Sequence, residues 1–406
     1  VRPAAPGTDA DTVALPGAVA TGPGTTRPAS GPATVDRSPA DTTEDLPAVD
    51  AGPGVTATGV APTVESPTID EQPTIDEQPT IDEPLGRPRD PVFVHLIWEG
   101  LLLVVLLGLA VAGLVLFPEF RSTDAVGRLL AVAVAVGIPA MAFSLSLRGA
   151  VPNLAVVPLA ALGASVFATA AADQGLAAGV LQALALTGIV GLVLGALVVG
   201  LRVPSWAASI PVGLLAAGLA PLIAPGRADG IPSVPSFVTA ELPQFLVFAA
   251  LSVGTGLLCL IPAVRRTLGG YREDVEWGRR GLVAGFVALG VLIVSSAVAG
   301  GAGVLSALQT SVAGNVGGAG DLLLPLAAVL LGGASVYGRR VGVAGTVLGV
   351  LILVTVRHLW LLSGLGAEYA AYGGAYALAG VAAIVGLLAT PMVEWAGRRA
   401  EARATT

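Results

Sequence analysis

From residue 92 onward the chain alternates long apolar stretches with short polar breaks. Apolar runs lie near 93–117, 125–146, 151–172, 176–201 and 204–224, and a second set near 243–263, 281–300, 321–338, 341–363 and 370–391. At about 1.5 Å per helical residue, each is long enough to cross a hydrocarbon core of about 30 Å. The pattern predicts an all-α integral membrane protein of about ten transmembrane helices, preceded by a disordered N-terminal tail. Residues 300–320, GGAGVLSALQTSVAGNVGGAG, are too rich in glycine for a full span and read as a partial or re-entrant helix on the outer side. Pro139, Pro158 and Pro325 fall inside spans, where kinks or breaks are expected. Non-helical backbone at that depth requires protein or a water-lined cavity to satisfy it.

The first 91 residues have a different texture. They hold 16 of the 30 prolines among Ala, Thr, Gly and Asp, with almost no aromatic residues. A segment that cannot bury enough apolar area to offset its ordering entropy stays disordered. PTIDEQ occurs at 67–72 and 73–78, followed by PTIDEP at 79–84. The repeats read either as a solvated spacer or as docking sites phosphorylated at Thr68, Thr74 and Thr80. The expected organisation is a cytoplasmic acidic tail over 1–91, a polytopic membrane domain over 92–393 and a short cytoplasmic tail over 394–406.

Charge adds orientation. Residues 1–92 carry 15 Asp/Glu against 5 Arg, and the remainder 13 against 16, so the tail is acidic and the membrane body slightly basic. With the N-terminus inside and ten crossings, fourteen arginines from Arg87 onward fall in the cytoplasm. Only Arg121, Arg128 and Arg227 fall outside, and Arg357 lies within a span. That asymmetry follows the positive-inside rule and favours a multi-pass protein of the cell membrane with both termini cytoplasmic.

Composition then limits the chemistry. Only 12% of residues are charged, where soluble domains carry about a quarter. All 21 basic residues are arginine, so a P-loop lysine and a Schiff-base lysine are both excluded. One cysteine (Cys259) and two histidines (His95, His358) give no Cys/His metal cluster, and no cofactor or nucleic-acid partner is expected. Ionisable groups are scarce in the span centres, which argues against an ion-coupled secondary transporter. His358 near Ser363 raises an intramembrane protease, but no nucleophile motif accompanies the pair; a packed histidine is the alternative.

The stretch 327–351, AAVLLGGASVYGRRVGVAGTVLGVL, resembles the permease subunits of ribose-type ABC importers. This family also embraces nucleoside and branched-chain amino acid permeases. The resemblance rests on a paired-glycine turn and spaced small residues: Gly332, Gly333, Ser335, Gly338, Gly342, Gly345 and Gly349. Arg339 stands where the family more often has glycine. A second patch, SLRGAVPNLAVVPLAALGASVFA at 146–168, is similar to the early core helix of the family. There Asn153 takes a place where sugar permeases often have Asp and nucleoside permeases Asn. LRVPSWAAS at 201–209 is similar to a short cytoplasmic turn before the fifth span.

The resemblance, spanning roughly 125–391, implies a ten-helix permease and a second permease chain in a homo- or heterodimer. It also implies cytoplasmic ATPase subunits and an extracytoplasmic solute-binding protein, with membrane lipid around the bundle. In that setting the chain moves a small polar solute, a sugar or nucleoside, inward by alternating access and performs no catalysis itself. The loop 261–281 corresponds to the ATPase-coupling segment, although its small-residue motif is degenerate. Leu268, Gly269, Gly270 and Tyr271 would enter the ATPase cleft, flanked by Arg265, Arg266 and Arg272. A solvated positive-inside loop explains the arginines equally well. Asn153, Gln182, Gln309 and Asn315 are the polar candidates for the translocation pathway; bridging between helices is the alternative for each. A membrane anchor or scaffold, recruiting a partner through its acidic tail, is the alternative for the whole chain.

Overall fold

The structure, a computed structural model, describes residues 92–224, 226–227, 231–232, 234–271, 281–310, 312–313, 319–335, 342–364 and 374–404. The tail with its repeats, Arg272, Asn315, Gly338 and Arg339 lie outside these residues.

Each of the ten apolar runs contains a helix. In chain order the helices are α1 (Val92–Leu116), α2 (Thr123–Arg148), α3 (Val156–Gln174), α4 (Leu176–Gly195) and α5 (Ser205–Ile223). After a four-residue α6 (Ser236–Thr239) come α7 (Glu241–Leu258), the short α8 (Pro262–Leu268) and α9 (Leu282–Thr310). The series closes with α10 (Ala319–Leu331), α11 (Gly345–Leu362) and α12 (Ala375–Ala404). A π-helical turn, Ala196–Gly200, extends α4. Among the described residues, eight helices are long and apolar enough to cross a membrane; α10 and the apolar part of α12, Ala377–Ala389, are shorter. The chain is an all-α membrane protein.

One expectation fails. Residues 300–310 form no separate re-entrant helix but continue α9 to its full 29 residues. Their glycines are packing sites: a Cβ on Gly303 would overlap the Ala160 carbonyl of α3, and one on Gly300 would overlap Thr187 of α4. In lipid, helices gain no hydrophobic incentive to associate, so backbone contact through small residues does much of the work. The glycine content that argued against a helix is what lets α9 sit between α3 and α4. Beyond it, Val312–Ala313 pairs antiparallel with Gly226–Arg227, tying the segment after α9 to the one after α5.

Prolines behave unequally. Pro139 lies in the middle of α2, whereas Pro158 is the third residue of α3. There its missing N–H is one that no helical carbonyl would have used, so no kink is required.

Packing separates two groups of helices. The first is α3, α4, α5 and α9; the second is α1, α10, α11 and α12. Helix α2 touches α9 of the first group, α10 and α11 of the second, and α7. It is the common wall, with Ala133, Ala140, Ala142 and Phe143 buried along it. Long apolar side chains point outward elsewhere, such as Leu214 and Leu222 on α5 and Val381 and Leu388 on α12. Such a surface suits acyl chains rather than water.

Candidate functional site

The C-terminal end of α2 gathers most of the buried polar groups. Gly149 caps the helix, Ala150 adopts a left-handed conformation (φ 56°), and Ala150 N–H and Val151 N–H donate back to Leu147 O and Ser146 O at 3.0 Å each. This paired 5→2 and 6→1 closure ends the helix sharply and turns the next residues inward. They carry Asn153, which is fully buried.

Every polar atom of the Asn153 side chain is engaged. Its Nδ2 donates to Ser295 Oγ and Ser296 Oγ of α9, at 3.2 Å each, and its Oδ1 accepts from Ala155 N–H at 3.1 Å. The neighbouring Leu154 N–H donates to Ser209 Oγ of α5 at 3.0 Å, and Ser295 Oγ donates to Ala142 O of α2. This network ties α2, α5 and α9 to the α2–α3 turn, with the Asn153 amide at its centre. Burial of so many polar groups is tolerable because nearly all find partners.

Five residues earlier Arg148 reaches the other way. Its Nη2 donates to Gly342 O at 3.0 Å and its Nη1 approaches Cys259 Sγ, at the end of α7, at 3.6 Å. Nε is buried with no partner. Arg148, one of the arginines counted on the cytoplasmic side, is thus buried among α7 and the segment before α11 rather than solvated. Its counter-charge comes from α1. Glu99 Oε1 accepts from Ala344 N–H at 3.0 Å and Gly345 N–H at 3.1 Å. It thereby caps α11, whose own N-cap residue, Ala344, has no side chain to do so. A Cβ on Gly342 would overlap Glu99 Oε1, so glycine is needed between the two charges.

Around this charge pair the paired-glycine turn takes shape. Gly333 has φ 84°, and Gly333 N–H and Ala334 N–H donate to Leu330 O and Val329 O, closing α10 as Ala150 closes α2. Gly332 meets the backbone of Gly345, and Gly349 meets Ala328 O, so α10 and α11 cross with backbones touching. Trp98 Nε1 donates to Leu331 O at 3.0 Å and fixes α1 to the same turn. Sequence reasoning found these glycines but missed Trp98, Glu99 and Arg148 as their partners. The available signal was a carboxylate in an otherwise uncharged span, opposite a helix start lacking a capping side chain.

The loop after α7 forms α8, opened by Pro262 and closed by Gly269. Arg265, Arg266 and Thr267 are exposed, whereas Leu268, Gly269 and Gly270 are half-buried. Tyr271 is buried within its own chain, and its hydroxyl donates to Val198 O in the π turn of α4 at 2.8 Å. Tyr271, expected to enter a partner's cleft, here belongs to a buried cluster that includes Val151, Leu194 and Leu292. A cleft of about 240 Å³ beside it is lined by Val199, Arg202, Leu282 and Phe286.

The polar pathway candidates are not brought together. Asn153 is in the staple described above; Gln182 is exposed on α4 and donates to Gln174 Oε1 at 2.8 Å. Gln309, at the end of α9, donates to Gln244 Oε1 at the start of α7, and Gln244 donates to Val238 O at 2.6 Å. His358 packs on Phe120, with ring centroids 5.7 Å apart, and Ser363 Oγ donates to Trp360 O.

Residues 125–267, from α2 into α8, match the family model described as branched-chain amino acid transport system / permease component. No curated protein and no solved structure matches the chain.

Proposed function

We propose that this chain, which carries a permease component of that transport family over residues 125–267, is the membrane subunit of an ABC importer. It moves a small polar solute, a sugar or nucleoside, inward by alternating access. ATP is hydrolysed on a separate chain, and a second permease chain and an extracytoplasmic binding protein complete the assembly.

The observation that carries this reading is α8. It is a short helix between two spans, exposed on its arginine side and braced on the other. The brace is Tyr271, whose hydrogen bond to Val198 O links the end of α8 to α4 and α9. A push on α8 is therefore felt by the α3–α4–α5–α9 group, which α2 joins to the second group. Two packed bodies sharing one wall suit a rocking movement better than a single undivided bundle would. Gln309 with Gln244, between the ends of α9 and α7, is the pair we assign to the mouth of the pathway opposite α8.

Gly270 tests the coupling. A Cβ there would sit 3.3 Å from Ala284 Cβ on α9, so a large side chain must push α8 away. Gly270→Trp is expected to abolish solute-stimulated ATP hydrolysis in vesicles holding the partner subunits and binding protein, while insertion is unchanged. Arg266→Gln, at a hydrated rim, retains most of the activity. Parent-like hydrolysis by Gly270→Trp would leave α8 as a mere topological anchor. If no ATPase binds the parent protein, the scaffold reading replaces the importer.

A further inference from the structure

Arg357 has no role in the arrangement so far. It lies on α11, five residues before its end at Leu362, hence about 7–8 Å along the axis from that end. No hydrogen bond or ion pair joins it to another described residue. It sits with the Phe120–His358 contact at the end of the bundle away from Arg148, where the arginine bias gives no reason for a cation.

Arg357 borders an apolar groove of about 250 Å³ between α11 and α12, whose other walls include Trp360, Leu361, Leu378 and Val381. Trp360, Leu361 and Val381 are at least half exposed to the surroundings of the bundle. Below Val381 the apolar face continues along α12 through Ile384, Val385 and Leu388, all exposed and at the i+3, i+4 and i+7 positions of one helix face. The surface thus offers a cation near the depth of a headgroup, an amphipathic indole beside it and an apolar track running toward the bilayer centre.

We propose that this groove is a binding site for an anionic phospholipid, whose phosphate takes the Arg357 guanidinium and whose acyl chains lie along Val381, Ile384 and Leu388. The five N–H donors of arginine in fork geometry match phosphate oxygens bidentately. A net negative headgroup supplies the counter-charge that no described carboxylate provides, which a zwitterionic one does not. A guanidinium that merely reached for water would show no preference among headgroups.

The test uses the full chain, reconstituted in equimolar phosphatidylglycerol and phosphatidylcholine of matched chain length. Native mass spectrometry after extraction in mild detergent reads the ratio of the two retained lipids. A basic residue near a membrane surface contributes about 1 kcal/mol toward anionic lipid, so an enrichment of about fivefold is expected. Arg357→Gln brings the ratio to about one, and Arg357→Lys retains part of the preference. Val381→Trp fills the groove and lowers the retained amount of phosphatidylglycerol with helix content by circular dichroism unchanged. An equal ratio for the parent and Arg357→Gln overturns the assignment. If Arg357→Gln does not fold, an undiminished preference in Val381→Trp overturns it instead. Glu368→Gln, run alongside, leaves the ratio unchanged; a rise in the ratio overturns the site, since the chain's own carboxylate then holds the guanidinium.

Discussion

At the scale of single residues, the polar groups inside this bundle divide by what they touch. Asn153 resembles a solute-binding residue by its position in the family pattern, yet its amide is spent on Ser295, Ser296 and Ala155, and it is fully buried. Those are the contacts of a residue that stabilises helix packing, and they set the expectation for its removal. Asn153→Ala leaves the Ala155 N–H unpaired in a buried place, at a cost of about 1–3 kcal/mol. The expected result is a lower midpoint of thermal unfolding in detergent, with the solute concentration for half-maximal ATPase stimulation unchanged. A shift in that concentration at an unchanged midpoint would return Asn153 to the pathway. The serines that receive it were not legible beforehand, because one-letter spacing does not say which face of α9 meets the α2–α3 turn.

At the scale of elements, helix α11 shows what a linear pattern omits. Its extent was close to legible, as the run 341–363 contains Gly345–Leu362, and the glycines at its crossing with α10 were visible as a motif. Its cap was not, because the carboxylate that satisfies Ala344 and Gly345 arrives from Glu99, 245 and 246 positions earlier. The same carboxylate lies across Gly342 from Arg148, and its neighbour Trp98 bonds the end of α10, so two adjacent residues of α1 meet α2, α10 and α11 at a common point. Glu99→Ala leaves the Ala344 and Gly345 N–H groups without their acceptor, at a cost of about 1–3 kcal/mol, and also removes the nearby opposite charge from the Arg148 side of the bundle. Glu99→Gln keeps an acceptor for the two N–H groups and loses only the charge, so its loss is smaller. Thermal unfolding of the detergent-purified chain separates the two. Equal stability of Glu99→Ala and the parent would show that the cap and the charge pair contribute nothing. The re-entrant reading of 300–320 failed for a related reason: glycine lowers helix propensity in water, but in lipid its small size permits the contacts that hold α9 against α3.

At the scale of the whole molecule, contacts sort the helix ends into two sets without reference to any membrane. The end of α2 meets the start of α11 through Arg148 and Gly342, and the start of α11 meets the start of α1 through Glu99. Tyr271, after α8, joins this set to the end of α4 through Val198. The opposite set holds Phe120 before α2 with His358 near the end of α11, Gln244 at the start of α7 with Gln309 at the end of α9, and the pairing of 226–227 with 312–313. Consecutive long helices therefore run in alternate directions, which is what crossing a bilayer repeatedly requires. Arg148, Arg202, Arg265 and Arg266 belong with the first set, and Arg121, Arg128 and Arg227 with the second. Arg357 joins the second set, so the cytoplasmic excess rests on the arginines of the loops and C-terminal end counted along the sequence. The positive-inside rule predicts that the first set faces the cytoplasm, and an even number of crossings would then put both ends of the chain there. Reporter fusions after Thr406 and within 226–240 are expected to show opposite sidedness, the first cytoplasmic and the second external. Equal sidedness would mean that α10, with 13 residues, or the apolar part of α12 fails to cross, since these are the two helices whose length alone does not guarantee it.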